Sequence, residues 1–300
     1  MIQGITVKNA NAEVFNLSLR DPEGNGGLAI TNIDGLTPPK ANINLTELST
    51  IDGSVFNSGR ISQRNVVITF KLLDMPTIED VRQTLYRIFP LKSHVEVQIH
   101  TDTRDVYTIG YVESNDINVF SEDEKSIVSI LCPDPYLYSI EELHSTYSGK
   151  GGEFEFPFEN YYGTHSISFA NITTDPTIVM NYPGETNNGV TFSIFASGNV
   201  TDFEIYNVST EQRMTLDNTK ITTITGSGIQ SGDIIEICTI KGKKRAQLIR
   251  EGVTYNIISS LGHGTDWVEL INGNNLFHFA GTGLSNVTCE IKTRIMYEGV

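Results

Sequence analysis

The sequence predicts a mainly β protein built as two domains, and three observations carry the prediction. Short β-branched and aromatic runs recur between Gly, Pro, Asn and Asp turns along most of the 300 residues. Only one stretch has the apolar spacing of a helix, and it lies in the first half. Between the halves, Cys132-Pro133-Asp134-Pro135-Tyr136-Leu137-Tyr138 sets two prolines one residue apart, which no central strand tolerates because each lacks a ladder N–H. Acidic Glu141 and Glu142 and the small run Ser148-Gly149-Lys150-Gly151-Gly152 then read as a linker, and strand-like chain resumes at Glu153-Phe154-Glu155-Phe156-Pro157-Phe158. The expected organisation is a first domain over 1–139, a joint over 140–163 and a second domain over 164–300.

In the first domain, Gly4–Val7 and Glu13–Leu19 are strand candidates, and the glycines after Asp21 form a loop. Those glycines are no dinucleotide site, because no helix pattern follows them. Ala41–Asn57 alternates loosely and ends in Asp52-Gly53 and Asn57-Ser58-Gly59, and Ala41–Gly59 reads as a long hairpin arm. Asn65–Leu73 is β-branched and aromatic, a strand. Thr77, with Asp80 three residues on, makes a capping box for a helix over 77–89. Ile78, Val81, Leu85 and Ile88 recur on one face of that helix and are expected to pack on the sheet. Leu91–His100 alternates cleanly, with Val95, Val97 and Ile99 inward; Val106–Val112, Asp116–Phe120 and Ser126–Leu131 follow as three further strands.

The second domain reads as strand and turn throughout. Its candidates run from Ser166–Ala170 through Thr177–Tyr182, Val190–Ala196, Asp202–Val208, Lys220–Thr225, Asp233–Ile240 and Arg245–Arg250 to Val287–Met296. Such spacing predicts a sandwich or jelly-roll-like fold.

Composition excludes several functions. A formal charge of −15 opposes general binding to nucleic acid or anionic membrane. Cys132, Cys238 and Cys289 match no zinc spacing and read as buried thiols in a reducing compartment. The start has neither a basic nor an apolar region, and no run reaches spanning length, so a soluble chain made in a cytoplasm is expected.

Candidate chemistry is sparse. His94, Glu96 and His100 share a strand face, but spacing along a strand separates the two histidines too far for one ion. Gly226–Gly232 lacks the Lys-Ser/Thr ending of a phosphate loop and leads into a strand. No nucleophile elbow or paired-histidine motif occurs, so no catalytic residue, metal ligand or cofactor site is expected. Lys241, Lys243, Lys244 and Arg245 form the single basic cluster, either a solvated hairpin tip or a docking point for an acidic partner. Trp267, the only tryptophan, is a candidate for the core, for an interface, or for a platform stacking on sugar rings.

Two stretches resemble the distal tail proteins of long-tailed bacteriophages. One is the joint, Asp134-Pro135-Tyr136-Leu137-Tyr138. The other is a series through Gly232-Asp233-Ile234-Ile235-Glu236-Ile237, Lys241-Gly242-Lys243-Lys244, Leu248-Ile249-Arg250-Glu251-Gly252, Asn256-Ile257-Ile258, Asp266-Trp267-Val268-Glu269-Leu270, Gly273-Asn274-Asn275 and Tyr297-Glu298-Gly299-Val300. The resemblance implies a barrel-like, one-helix N-terminal β-domain that closes into a hexameric ring, and a galectin-like β-sandwich projecting from it. It implies a structural virion protein at the tail tip, assembled in the host cytoplasm, and no enzyme. Its partners would be copies of itself, the tail tube protein, the tail-associated lysin or hub protein and a receptor-binding protein. DNA would pass through the ring without specific binding, which an acidic lumen would favour. The alternative reading is a lectin-like adhesion module for the host surface, centred on Trp267.

Overall fold

A computed structural model describes residues 1–49, 52–119, 121, 124–152, 170–172 and 175–300. The aromatic segment Glu153–Phe158 and most of the strand expected at Ser166–Ala170 lie outside the described residues, as does Phe120. The protein is mainly β, and its chain forms two compact units, 1–141 with 296–300, and 142–295.

The first unit holds β1 (Ile2–Lys8), β2 (Val14–Ser18), β3 (Leu28–Asp34), β4 (Ala41–Glu47), β5 (Ser54–Ile61), β6 (Arg64–Leu72), α1 (Ile78–Ile88), β7 (His94–Thr101), β8 (Asp105–Ile117) and β9 (Lys125–Cys132). It also holds the start of β10 (Leu137–Ser148). One antiparallel sheet runs β2-β1-β7-β8-β9-β6-β3. Alternation explains it: Val66, Ile68, Phe70 and Leu72 point inward from β6, and Val95, Val97 and Ile99 from β7, all at 3% exposure or less. The strand expected at Val106–Val112 runs on through Asp116 and Ile117 as one strand, β8, with an irregularity between Val112 and Ser114; Asn118 and Val119, expected to continue a separate strand, lie beyond it. A bulge adds a residue that breaks the alternation without ending the pairing, so the pattern reads as two strands. β3 had no expectation; its burial is irregular, with a register shift between Ile30 and Asn32.

Thr77 caps α1, its hydroxyl oxygen accepting from the Asp80 amide and its O–H donating to the Asp80 carboxylate. Val81, Leu85 and Ile88 are buried, and Ile78 packs half-buried against the same core. Phe89, at the C-cap, meets Phe70 of the sheet with ring centroids 5.8 Å apart.

The second unit contains β11 (Lys150–Gly152), β12 (Ala170–Ile172), β13 (Thr177–Tyr182), β14 (Asn188–Gly189), β15 (Thr191–Ala196), β16 (Thr201–Asn207), β17 (Gln212–Thr215) and α2 (Asn218–Thr225). It continues through β18 (Ile234–Cys238), β19 (Arg245–Arg250), β20 (Val253–Asn256), β21 (Glu269–Leu270), β22 (Gly273–Thr282) and most of β23 (Val287–Tyr297). Two antiparallel sheets, β23-β15-β18-β19-β20 and β13-β22-β16-β17, enclose one core as a β-sandwich. Phe192 of the first meets Phe277 of the second edge-on at 5.8 Å, and Phe279 stacks on Tyr147 at 4.7 Å.

Two expectations fail outright. The stretch read as linker from Glu141 to Gly152 is strand, β10 through Ser148 and β11 over Lys150–Gly152, because backbone pairing overrides its small, polar composition. Lys220–Thr225 is no strand but the body of α2, so the second half is not strand and turn throughout. Its Thr-rich, β-branched composition has strand character, but capping overrides it. The Asp217 carboxylate accepts from the Thr219 and Lys220 amides, and Gly226 closes the helix at φ 83°. Thr222, Thr223 and Thr225 donate their hydroxyls to carbonyls four residues back, which satisfies each hydroxyl within the helix.

All three cysteines are free and buried. Burial raises the Cys132 and Cys289 thiols well above their ordinary values. At pH 8 iodoacetamide is therefore expected to leave the folded protein unlabelled and to alkylate all three in urea, read by intact mass. Labelling without denaturant would contradict this packing.

Candidate assembly and docking surfaces

The β4–β5 hairpin stands apart from the rest of its unit. Every residue of both strands is exposed except Ile61, which is half-buried. Its strands pair only with each other, Ala41 opposite Ile61 through Glu47 opposite Ser54. Ile43, Leu45, Val55 and Phe56 are each at least half exposed, the last 61%. A lone two-stranded ribbon is marginal in water, which makes the water-facing apolar side chains on it a candidate contact surface.

In the second unit, Lys241, Lys243 and Lys244 occupy the β18–β19 connection and Arg245 opens β19, all exposed, with Gly242 at φ 79° making the turn. Arg245 pairs loosely with Glu236 at 3.8 Å. The Lys244 ammonium lies 5.0 Å from the centre of the Trp267 ring, a cation–π contact. Trp267 is half-buried against the sandwich core. Two candidates 23 positions apart in sequence are thus neighbours, and a lysine competes with any sugar for that indole.

The glycine-rich stretch Gly226–Gly232 is held by an ion pair. Arg250 clasps Asp233 through two hydrogen bonds of 2.8 and 2.6 Å, and donates to Ser227 Oγ and to the Gly228 carbonyl. The carboxylate in turn accepts from the Gln230 amide. A loop whose cation is already bidentate to a carboxylate has no charge to offer a phosphate.

His94, Glu96 and His100 lie on β7, and no group of three His, Cys, Asp or Glu among the described residues could hold a metal ion. His100 has partners the sequence did not point to. Its Nε2 sits 2.9 Å from Thr6 Oγ1 and its Nδ1 3.1 Å from Asp105, beside an open hollow of about 600 Å³. The wiring has the order hydroxyl, imidazole, carboxylate. Thr6, however, sits mid-strand between β2 and β7 and also donates to Asn16, and its neighbours' amides belong to ladders rather than to an oxyanion hole. The three side chains pin β1, β7 and β8 together. Only their register across the sheet reveals the arrangement.

The geometry defines a class: a mainly β, two-unit scaffold whose distinctive features are surfaces, an unsupported arm and a basic tip. Neither a protein-family model nor a curated protein matches the sequence. Among solved structures, the chain is similar to the Dit protein of phage SPP1, described as a paradigm of the hub adsorption apparatus in phages that infect Gram-positive bacteria. The TM-score is 0.63 at 12% identity, over 97% of this chain and 99% of that one. Two structures of the phage P2 baseplate in its activated conformation, with calcium and with strontium, align at TM-scores of 0.47 and 0.46, each at 12% identity. They cover 97% of this chain, and 98% and 97% of theirs. The protein therefore shares the fold of SPP1 Dit over most of its length.

Proposed function

We propose that the chain is a structural component of a phage tail tip, a distal tail protein whose copies close into a hexameric ring. The ring joins the tail tube to the lysin and receptor-binding parts and carries out no reaction itself. The observation supporting this most is the whole-chain likeness to SPP1 Dit, which spans both units rather than one common module. The β4–β5 arm supplies the means. A hairpin whose described strands pair only with each other, meeting a complementary patch on another copy, makes a heterologous contact, and heterologous contacts generate rings where the rotation closes.

Light scattering and negative-stain imaging of the purified protein test the reading, with six-fold rings expected. A Leu45→Asp, Phe56→Asp double variant is expected to cut the assembled fraction by at least about tenfold, because each charge would be buried in the contact. Its melting temperature should match the wild type's, since both side chains face water in the single copy. Single copies at every concentration, alone or with tail components, would overturn the ring. Glycan binding lost in Trp267→Ala would favour the lectin reading instead.

A further inference from the structure

Arg64 begins β6 three positions after the arm ends, and it is 1% exposed. Burial lowers its pKa from the ordinary arginine value, yet a guanidinium stays cationic in a folded protein, so its donors need acceptors. The four it finds are all backbone carbonyls. Nε donates to Pro135 at 2.7 Å, Nη1 to Thr37 at 3.0 Å and to Gly35, and Nη2 to Glu298. Those carbonyls belong to three segments: the loop that leads into β4, the proline joint, and the Met296–Val300 stretch that returns from the second unit.

The returning stretch grips the same loop independently. The Val300 amide donates to the Leu36 carbonyl at 3.1 Å, and a Cβ on Gly299 would come within 2.9 Å of Pro38. Arg104 lies over the Tyr297 ring at 4.4 Å and donates to the Gly299 carbonyl. At the arm's root, Asn42 donates to Ser62 at 2.7 Å, tying its two strands together where they leave the loop and Arg64.

We infer that Arg64 and the Met296–Val300 strap form one clasp that sets the arm at its root, so that the arm is presented for assembly only when the strap is seated. The part concerning assembly rests on the ring reading; the part concerning the root does not. An arm whose described strands pair with no other strand takes its direction chiefly from its root. Here one root is held by residues more than two hundred positions further along the chain. Without Glu298, a buried guanidinium donor is left unpaired and the 35–40 loop loses its cover.

Two variants of the full chain test this. Gly299→Val wedges the strap off Pro38 without touching the sheet core, and Arg64→Met removes the donors while keeping much of the side chain's length. Hydrogen exchange of the arm amides, 41–47 and 54–61, is expected to accelerate at least about tenfold in both, with β6 amides 66–72 still protected. The assembled fraction should fall by a similar factor. Should Arg64→Met fail to fold, Gly299→Val decides. Wild-type exchange and wild-type assembly in Gly299→Val would overturn the inference. If the wild type itself never assembles, the ring reading falls and exchange alone judges the clasp.

Discussion

Asp233→Ala is expected to destabilise the sandwich unit by about 3–5 kcal/mol, the cost of breaking a buried ion pair from one side. Asp233 has no exposed surface and the Arg250 side chain only 11%, so water cannot replace the lost carboxylate. The aspartate's hydrogen bond also holds Arg250 further into its charged form, and both groups organise the turn before β18 through Ser227, Gly228 and Gln230. Equilibrium urea unfolding gives the loss. A double-mutant cycle sharpens it: Asp233→Leu with Arg250→Leu should cost clearly less than the two single changes summed, because no charge is then stranded. Additive costs would mean that the pair contributes only packing.

Phe70→Ala is expected to cost the first unit about 3–5 kcal/mol, from lost burial plus the cavity left behind. Phe70 has no exposed surface, and its ring meets Phe89 where α1 ends, so the same side chain supports the strand and docks the helix. Unfolding monitored by near-ultraviolet circular dichroism should show the loss, and exchange should rise first in α1, which touches the sheet through few residues besides this pair and Val81, Leu85 and Ile88. A cost below about 1 kcal/mol would mean that the core collapses into the space, as well-relaxing sites do.

Both predictions concern stability, whereas the assembly proposed above would use surfaces that contribute little to it. The arm variants should leave unfolding untouched and abolish assembly; the core variants should do the reverse while any surviving folded copies still assemble. On the ring reading that separation is expected, because contacts between copies are absent from the single subunit.

The sequence by itself determined the mainly β class, helix α1, and the alternating strands β6, β7 and β23, because cap, period and alternation act within a few residues of one another. It failed where local signals conflict: α2 is built from strand-favouring threonines, and β8 breaks its own alternation at a bulge. It carried no trace of pairings made across the fold, such as Lys244 on Trp267, Thr6 on His100, or Arg64 on Glu298. Only the tertiary structure decided these, since a hydrogen bond between residues 234 positions apart depends on where every intervening strand places the chain.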